Sequence, residues 1–221
     1  AGVNAGNSIE SGGNYNTVVG DEAGTAITTG DYNTGVGYAA LTANTEGSYN
    51  VAVGGLALDA NTTGSANTAL GTSSLGANTT GANNIAVGLQ ALVVNTTGSE
   101  NTAMGTYALT ANTTAANNTA VGYASLVANT TGTLNTAIGK DAGLSVTTGG
   151  QNTLIGASSG DALTTGGNNV AMGISALSSD TTGGKSVAIG YAALLTQNQT
   201  GGVEPFNVAV GASAGLSVTT G

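Results

Sequence analysis

Hydrophobic and polar residues recur along this chain in a 17-residue repeat. Each copy contains a short apolar stretch followed by a marker glycine, and successive marker glycines lie 17 residues apart. They are Gly20, Gly37, Gly54, Gly71, Gly88, Gly105, Gly122, Gly139, Gly156, Gly173 and Gly190, followed after a longer interval by Gly211. A short fixed period is typical of solenoids and repeat arrays, in which each copy is one structural unit.

Positions within the repeat are numbered here from the asparagine that precedes the apolar stretch, so that Asn16 is position 1 of its copy. Position 2 is Thr, Val or Ile, position 3 is usually Ala, and position 4 is Val, Leu, Ile or Met. Alternate residues of a strand share a face, so positions 2 and 4 are expected on one face and position 3 on the other. The glycine at position 5 ends the strand. Positions 12 to 15, usually Asn-Thr-Thr-Gly, predict a second short extended piece closed by a turn.

Helix is the competing interpretation, because Ala-Leu pairs occupy positions 8 and 9 of half of the copies. Seventeen residues are too few for two helices and their turns. A compensation between two positions also favours a folded rung over disorder: where position 9 changes from Leu to Gly, position 12 changes from Asn to an apolar residue. The four pairs are Gly24 with Ile27, Gly143 with Val146, Gly160 with Leu163, and Gly215 with Val218. Positions 9 and 12 are therefore expected to fill the same interior volume.

The predicted fold is all-β, a parallel β-solenoid (β-roll) of 17-residue rungs. Residues 1–221 are expected to form a single domain of about 12 to 13 rungs, with a four-residue insertion near residues 198–206. Stacking of rungs places identical residues in ladders, and stacked Asn amides can hydrogen-bond along the axis. The predicted structural ladder is Asn16, Asn33, Asn50, Asn67, Asn84, Asn101, Asn118, Asn135, Asn152 and Asn169.

Composition narrows the function. The net charge is −9, and Lys140 and Lys185 are the only basic residues. Nucleic acids and anionic membranes require Lys or Arg near phosphates, so neither is an expected partner. The chain has no His and no Cys, and its eleven acidic residues are scattered, with Asp141 and Asp161 at different repeat positions. The sequence thus predicts no enzyme, no metal site and no cofactor, since the usual Ser-His-Asp and Cys-His sites cannot form. No apolar run of about 18 residues is present to cross a bilayer.

Two further sets of positions point to surfaces. The small residues at positions 3 and 8 are expected to let a neighbouring chain approach closely, which favours three chains wound about a common axis. Positions 13 and 14 are Thr-Thr in most copies, so one of the two is expected to form a regular outward row. Such a row is a candidate surface for binding ice or carbohydrate. The candidate residues are Thr62, Thr63, Thr79, Thr80, Thr96, Thr97, Thr113, Thr114, Thr130 and Thr131.

Two segments carry a resemblance to a known family. KSVAIGYAAL at residues 185–194 and NNIAVGLQAL at residues 83–92 resemble the head repeats of trimeric autotransporter adhesins of the YadA type. Similar Asn-Thr-Ala-Val-Gly arrays occur in tail-fibre-like proteins. The resemblance implies a left-handed parallel β-roll, a bundle of three chains, and a surface fibre that attaches to other surfaces. Repeats of that family are typically shorter, about 14 or 15 residues.

The function expected from the sequence is a structural extracellular fibre segment, displayed on a cell or virion surface and acting as shaft or adhesive head. Its expected partners are further copies of itself, as a homotrimer or filament, and a host-surface receptor or glycan. One alternative is an ice-binding or carbohydrate-binding solenoid that uses the Thr-Thr row. Another is the subunit of a filament that assembles head to tail through exposed strand edges.

Overall fold

The computed structural model describes residues 2–7, 9, 13–199 and 204–220. These residues form a parallel β-solenoid of 17-residue rungs, with twelve short strands and no helix. The all-β class, the parallel arrangement and the rung length predicted from the sequence are therefore confirmed. The insertion expected near residues 198–206 lies partly outside the described residues, since residues 200–203 are not among them.

The chain divides into two compact units, Ala1–Thr114 and Ala115–Gly221. The strands of the first unit are β1 (Thr17–Val19), β2 (Thr34–Val36), β3 (Val51–Val53), β4 (Thr68–Leu70), β5 (Ile85–Val87) and β6 (Thr102–Met104). Those of the second unit are β7 (Thr119–Val121), β8 (Thr136–Ile138), β9 (Thr153–Ile155), β10 (Val170–Met172), β11 (Val187–Ile189) and β12 (Val208–Val210). Within each unit, consecutive strands pair in parallel and equal repeat positions face each other, as in β2 with β3.

The pairing of β11 with β12 keeps this register although the two strands are further apart in the sequence. Val187 faces Val208 and Ile189 faces Val210, so position 2 meets position 2 and position 4 meets position 4. The additional residues between these strands therefore do not shift the ladder. Register in a parallel sheet is decided by which side chains must point inward, and a shift by one residue would turn the inward residue outward.

Each strand consists of positions 2 to 4, and its middle residue points into the rung. Ala52, Ala69 and Ala86 at position 3 are completely buried, whereas their neighbours at positions 2 and 4 are half-buried or exposed. The predicted alternation is confirmed. Alanine is large enough here because the interior of the rung is narrow.

The rest of the interior comes from the turn that follows the strand. Leu58, Leu75 and Leu92 at position 9 are completely buried. In the copies with glycine at position 9, the apolar residue at position 12 is the buried one, as at Val146. A Cβ atom added to Gly143 would lie 3.4 Å from Cγ2 of Val146 and 2.9 Å from Cδ2 of Leu126. The prediction that positions 9 and 12 share one interior volume is confirmed.

The expectation that positions 3 and 8 contact a neighbouring chain is wrong. Ala57 and Ala91 at position 8 are completely buried, as are the position 3 alanines, and all of them lie inside their own chain. The strand and the turn of one rung approach each other closely, so most copies have small side chains at both positions. Leu154 is an exception at position 3, and it is completely buried in a copy whose position 9 is glycine, Gly160.

Positions 12 to 15 form a turn and not a second extended piece. The backbone N–H groups of Thr62 and Thr63 both donate to the carbonyl oxygen of Thr79 in the next rung, at 2.9 and 3.2 Å. Two successive N–H groups of a regular strand point to opposite sides, so this shared acceptor requires a bend. The prediction of a second extended segment was wrong, whereas the closing turn is present.

The turn after the strand places ordinary residues in the left-handed backbone region. Leu56 at position 7 and Leu58 at position 9 have φ of 58° and 51°. This conformation costs a non-glycine residue roughly 1–2 kcal/mol. A leucine at position 9 offsets that cost by burying its side chain, which is worth about 1.5–3 kcal/mol. Copies with glycine at position 9 avoid the strain and bury an apolar residue at position 12 instead.

Candidate functional site

An exposed apolar surface is the outer face of the strands, formed by the side chains of positions 2 and 4 and here called the strand face. In the first unit, Ile85 is 42% exposed and Leu70 is 47% exposed. Met104 in the first unit and Ile138 in the second are exposed to a similar extent. No residue at positions 2 and 4 of the twelve described strands is charged. An exposed apolar surface that continues over neighbouring strands is a common sign of an interaction site.

The two threonines of the Thr-Thr pair have different environments. At position 13, the hydroxyl groups donate to the backbone carbonyl of the next rung, from Thr62 to Thr79 at 3.0 Å and from Thr79 to Thr96 at 3.1 Å. These threonines are half-buried and part of the fold, as is Thr130, whose hydroxyl donates to Thr147. Thr113 is also half-buried. The outward row is position 14, with exposed side chains at Thr63, Thr80, Thr97 and Thr114 in the first unit and Thr131 in the second.

The position 1 asparagines lie inside the rungs, where each amide joins two rungs. In the first unit, the backbone N–H of Asn50 donates to Oδ1 of Asn33 at 2.9 Å, and Nδ2 of Asn50 donates to the carbonyl of Gly64 at 2.9 Å. In the second unit, Asn152 donates through its backbone N–H to Oδ1 of Asn135 at 3.0 Å. Asn16 is half-buried at the start of this series and accepts from the N–H of Asn33. The buried members are Asn33, Asn50, Asn67, Asn84 and Asn101 in the first unit and Asn118, Asn135, Asn152 and Asn169 in the second.

A second asparagine ladder, at position 12, was not foreseen. Nδ2 of Asn61 donates to Oδ1 of Asn44 at 2.7 Å, and Nδ2 of Asn78 donates to Oδ1 of Asn61 at 2.8 Å. All three side chains are completely buried. The compensation between positions 9 and 12 was the signal for this ladder, because a position that takes Ile, Val or Leu in some copies must face the interior in the others.

An exposed stack of tyrosines lies at position 17 of the first unit. The rings of Tyr15 and Tyr32 have centroids 4.7 Å apart, and those of Tyr32 and Tyr49 are 5.2 Å apart. The ring planes are nearly parallel, at 13° and 6°. Their spacing of 17 residues is visible in the sequence, although it was not singled out there. Because the rings stack on each other, the faces of Tyr32 are covered by its two neighbours.

The carboxylates do not converge on one site in the described part of the chain. No group of three or more His, Cys, Asp or Glu residues suited to a metal ion occurs there. Asp141 forms an ion pair with Lys140 at 2.9 Å. Burial raises the pKa of Asp161, and burial likewise raises the pKa of Asp59, so each carboxyl has a half-buried environment of its own. Among the described residues, no helix is long and apolar enough to cross a membrane.

Comparisons with protein-family models, with curated proteins and with solved structures gave no match for this chain.

Proposed function

We propose that this chain is a segment of an extracellular fibre and associates with further copies of itself through the strand face. The observation that carries the proposal is a strand face without any charged residue in a chain of net charge −9. Two copies repel each other wherever their acidic surfaces meet, and meet least repulsion where both surfaces are uncharged. The association is proposed to be a homotrimer, with the segment serving as shaft or adhesive head on a cell or virion surface.

The spacing of the strand face favours a second copy over an unrelated partner. In each unit, side chains at the same repeat position lie on neighbouring parallel strands, which are about 4.8 Å apart. The side chains of positions 2 and 4 form ridges with that spacing. The strand face of another copy has ridges of the same spacing, so the ridges of one copy can fit into the grooves of the other. The resemblance of residues 185–194 and 83–92 to trimeric adhesin repeats supports the same proposal.

The test is the solution mass of the 20.9 kDa chain, measured by light scattering after size exclusion over a range of concentrations. We expect a constant mass near three chains. The double variant Leu70→Glu with Met104→Glu places charges on two rungs of the strand face, and we expect it to shift the mass to a single chain. Both side chains are exposed in the single chain, so the variant should keep the β-solenoid fold, which its circular dichroism spectrum would verify.

The matched control is the double variant Thr80→Glu with Thr114→Glu, which adds the same charge to the same two rungs on a different surface. Position 14 already holds a glutamate in one rung, Glu46, so the fold accepts this residue there. We expect the control to retain the mass of the unaltered protein. A single-chain mass for the unaltered protein would refute self-association, and a mass that rises steadily with concentration would indicate a head-to-tail filament instead.

A second candidate function, ice binding, is supported by the exposed row at position 14. Thr63, Thr80, Thr97 and Thr114 offer methyl and hydroxyl groups at the rung spacing, without a charge among them. If the row binds ice, the protein should show thermal hysteresis, and Thr80→Tyr with Thr97→Tyr should abolish it. Thr→Ser at the same two sites serves as the control, since it keeps the hydroxyls. Absence of thermal hysteresis in the unaltered protein would exclude this candidate.

A further inference from the structure

A polar groove of about 440 Å³ lies on the second unit, beside the turn that closes each rung. The residues that line it include Thr165, Thr182, Gln151, Asn168 and Glu204. No large apolar side chain lines it. Pockets for cofactors and similar small molecules are mostly apolar, so a different class of ligand is indicated.

The floor of the groove is produced by glycine at position 16. In the first unit, the position 16 serines Ser48, Ser65 and Ser99 each accept a hydrogen bond from the position 16 N–H of the preceding rung. The N–H of Asp31 donates to Oγ of Ser48 at 2.9 Å, and that of Ser48 donates to Oγ of Ser65 at 3.1 Å. A third such bond runs from the N–H of Ala82 to Oγ of Ser99 at 3.0 Å. The serine hydroxyl thus fills the space between neighbouring turns and satisfies a backbone donor.

Three successive rungs of the second unit lack that hydroxyl, because position 16 is Gly150, Gly167 and Gly184. The N–H groups of Thr133, Gly150 and Gly167 accordingly have no acceptor among the described residues. All three of these residues line the groove. The groove therefore presents a row of backbone donors at the rung spacing of about 4.8 Å, where the first unit has serine oxygens.

The remaining chemistry of the groove restricts the ligand. Side-chain amides and hydroxyls both donate and accept hydrogen bonds, although the Thr182 hydroxyl already donates to the carbonyl oxygen of Gln199 at 2.8 Å. Lys185 is held by Glu204, with Nζ 2.6 Å from Oε2, so no unpaired cation among the described lining groups would attract an anion. The net charge of −9 disfavours anionic ligands further. A suitable ligand is uncharged and carries groups that both donate and accept, repeated at a distance close to that of the rungs.

We infer that this groove binds an extended neutral glycan, whose hydroxyl oxygens accept from the backbone N–H groups of Thr133, Gly150 and Gly167. Sugar hydroxyls combine a donor with an acceptor, and the rings of an extended glycan repeat at a distance near the rung spacing of about 4.8 Å. The site lies within the second unit and is distinct from the strand face, and its lining includes the position 14 residues Thr165 and Thr182. It does not depend on self-association.

The experiment is calorimetric titration of the full chain with two neutral probes, the hexasaccharides of β-1,4-linked glucose and of β-1,4-linked N-acetylglucosamine. A heparin hexasaccharide is the anionic comparison. We expect at least one neutral probe to bind with a Kd of about 1 mM or tighter. The heparin fragment should bind at least tenfold more weakly. Failure of both neutral probes to bind, or tighter binding of heparin, would overturn the inference.

The decisive variant is Gly167→Ser, which introduces into the groove the residue found at position 16 of the first unit. Its hydroxyl should accept from the N–H of Gly150 and occupy the place of a ligand oxygen, so we expect binding to weaken at least tenfold. An added Cβ would lie 2.8 Å from the carbonyl oxygen of Gly150, and the first unit has serine at the same repeat position in Ser48 and Ser65. Ala82→Ser makes the equivalent change outside the groove and should leave binding unaltered.

A second variant covers the case in which Gly167→Ser perturbs the fold. Asn168→Gly removes a wall amide, and glycine suits the φ of 60° at this residue. We expect this variant to keep the unfolding midpoint and to weaken binding several-fold. Binding that is unchanged in both variants would show that a bound glycan lies elsewhere, and the assignment of this groove would fall.

Discussion

Replacing Gly54 by alanine is expected to destabilise the first unit by about 3 kcal/mol or more. Gly54 has φ of 134°, a conformation that residues with a side chain rarely adopt. An added Cβ would lie 2.6 Å from the carbonyl oxygen of Gly71 in the next rung and 2.7 Å from its carbonyl carbon. Both atoms belong to the backbone and cannot move aside without opening the ladder. Thermal unfolding followed by circular dichroism would measure the effect.

The adjacent Gly55 provides the control. A Cβ on Gly55 meets no atom within 4 Å, and its φ lies outside the left-handed region. Gly55→Ala should therefore leave stability within about 0.5 kcal/mol of the unaltered protein. Equal losses of stability in Gly54→Ala and Gly55→Ala would contradict the backbone contact as the cause.

Removal of one buried amide from the position 1 ladder is expected to cost about 3 kcal/mol in Asn84→Ala, because buried partners lose their hydrogen bonds. Oδ1 of Asn84 accepts from the backbone N–H of Asn101 at 3.0 Å, and Nδ2 of Asn84 donates to the carbonyl of Gly98 at 2.9 Å. The N–H of Asn101 would be left facing a cavity. Chemical denaturation monitored by circular dichroism would give the change in the free energy of unfolding.

The neighbouring residue again offers a matched comparison. Asn83 is exposed at position 17 with φ of 58°, so Asn83→Gly removes an amide without creating a buried vacancy or backbone strain. We expect this variant to stay within about 0.5 kcal/mol of the unaltered protein. If Asn84→Ala were no less stable than Asn83→Gly, the hydrogen bonds of the buried Asn84 amide would not contribute to stability, and the prediction would be wrong.

Much of the fold follows from the pattern of the repeat. The alternation at positions 2 to 4 predicted each strand. Position 3 is usually Ala, whereas positions 2 and 4 on either side of it are larger, as expected when alternate residues face opposite sides. Where position 9 changes from Leu to Gly, position 12 changes from Asn to an apolar residue. This paired change predicted that the two positions fill the same part of the interior. Both inferences succeed because the side chains must fill a closed core of fixed volume. A smaller residue at one interior position is therefore accompanied by a larger apolar residue at another, and this paired change is visible in the sequence.

The direction of the small residues could not be inferred in the same way. Alanine at positions 3 and 8 is equally suitable for a narrow core and for close contact between chains, and only the structure shows that Ala57 and Ala69 are interior. The left-handed conformation of Leu58 has no signal in residue type either, because leucine is not favoured there. The sequence thus indicated which positions matter while leaving open on which side of the backbone some of them lie.

The groove on the second unit was hidden for a related reason. The Gly-Gly pairs at Gly149 with Gly150 and Gly166 with Gly167 read as turn residues, which they are. Their effect on the surface becomes visible only when the serine hydroxyls at position 16 of the first unit are seen to bridge neighbouring rungs. The absence of the serine hydroxyl leaves a backbone N–H without an acceptor, and this can be recognised from the hydrogen bonds of the structure but not from the amino-acid composition.

The constant offset of the bonds between rungs has a consequence for how such a gene can change. Bonds such as those from Asn50 to Asn33 and from Thr62 to Thr79 join residues one repeat apart. Recombination between neighbouring copies that removes or duplicates one whole repeat leaves every remaining bond with an equivalent partner. The pairing of Val187 with Val208 shows that a longer connection between two strands is compatible with an unchanged register. A change of one whole repeat therefore preserves the bonding pattern, whereas deletion of a single residue inside a rung would displace the following residues of that rung from their partners.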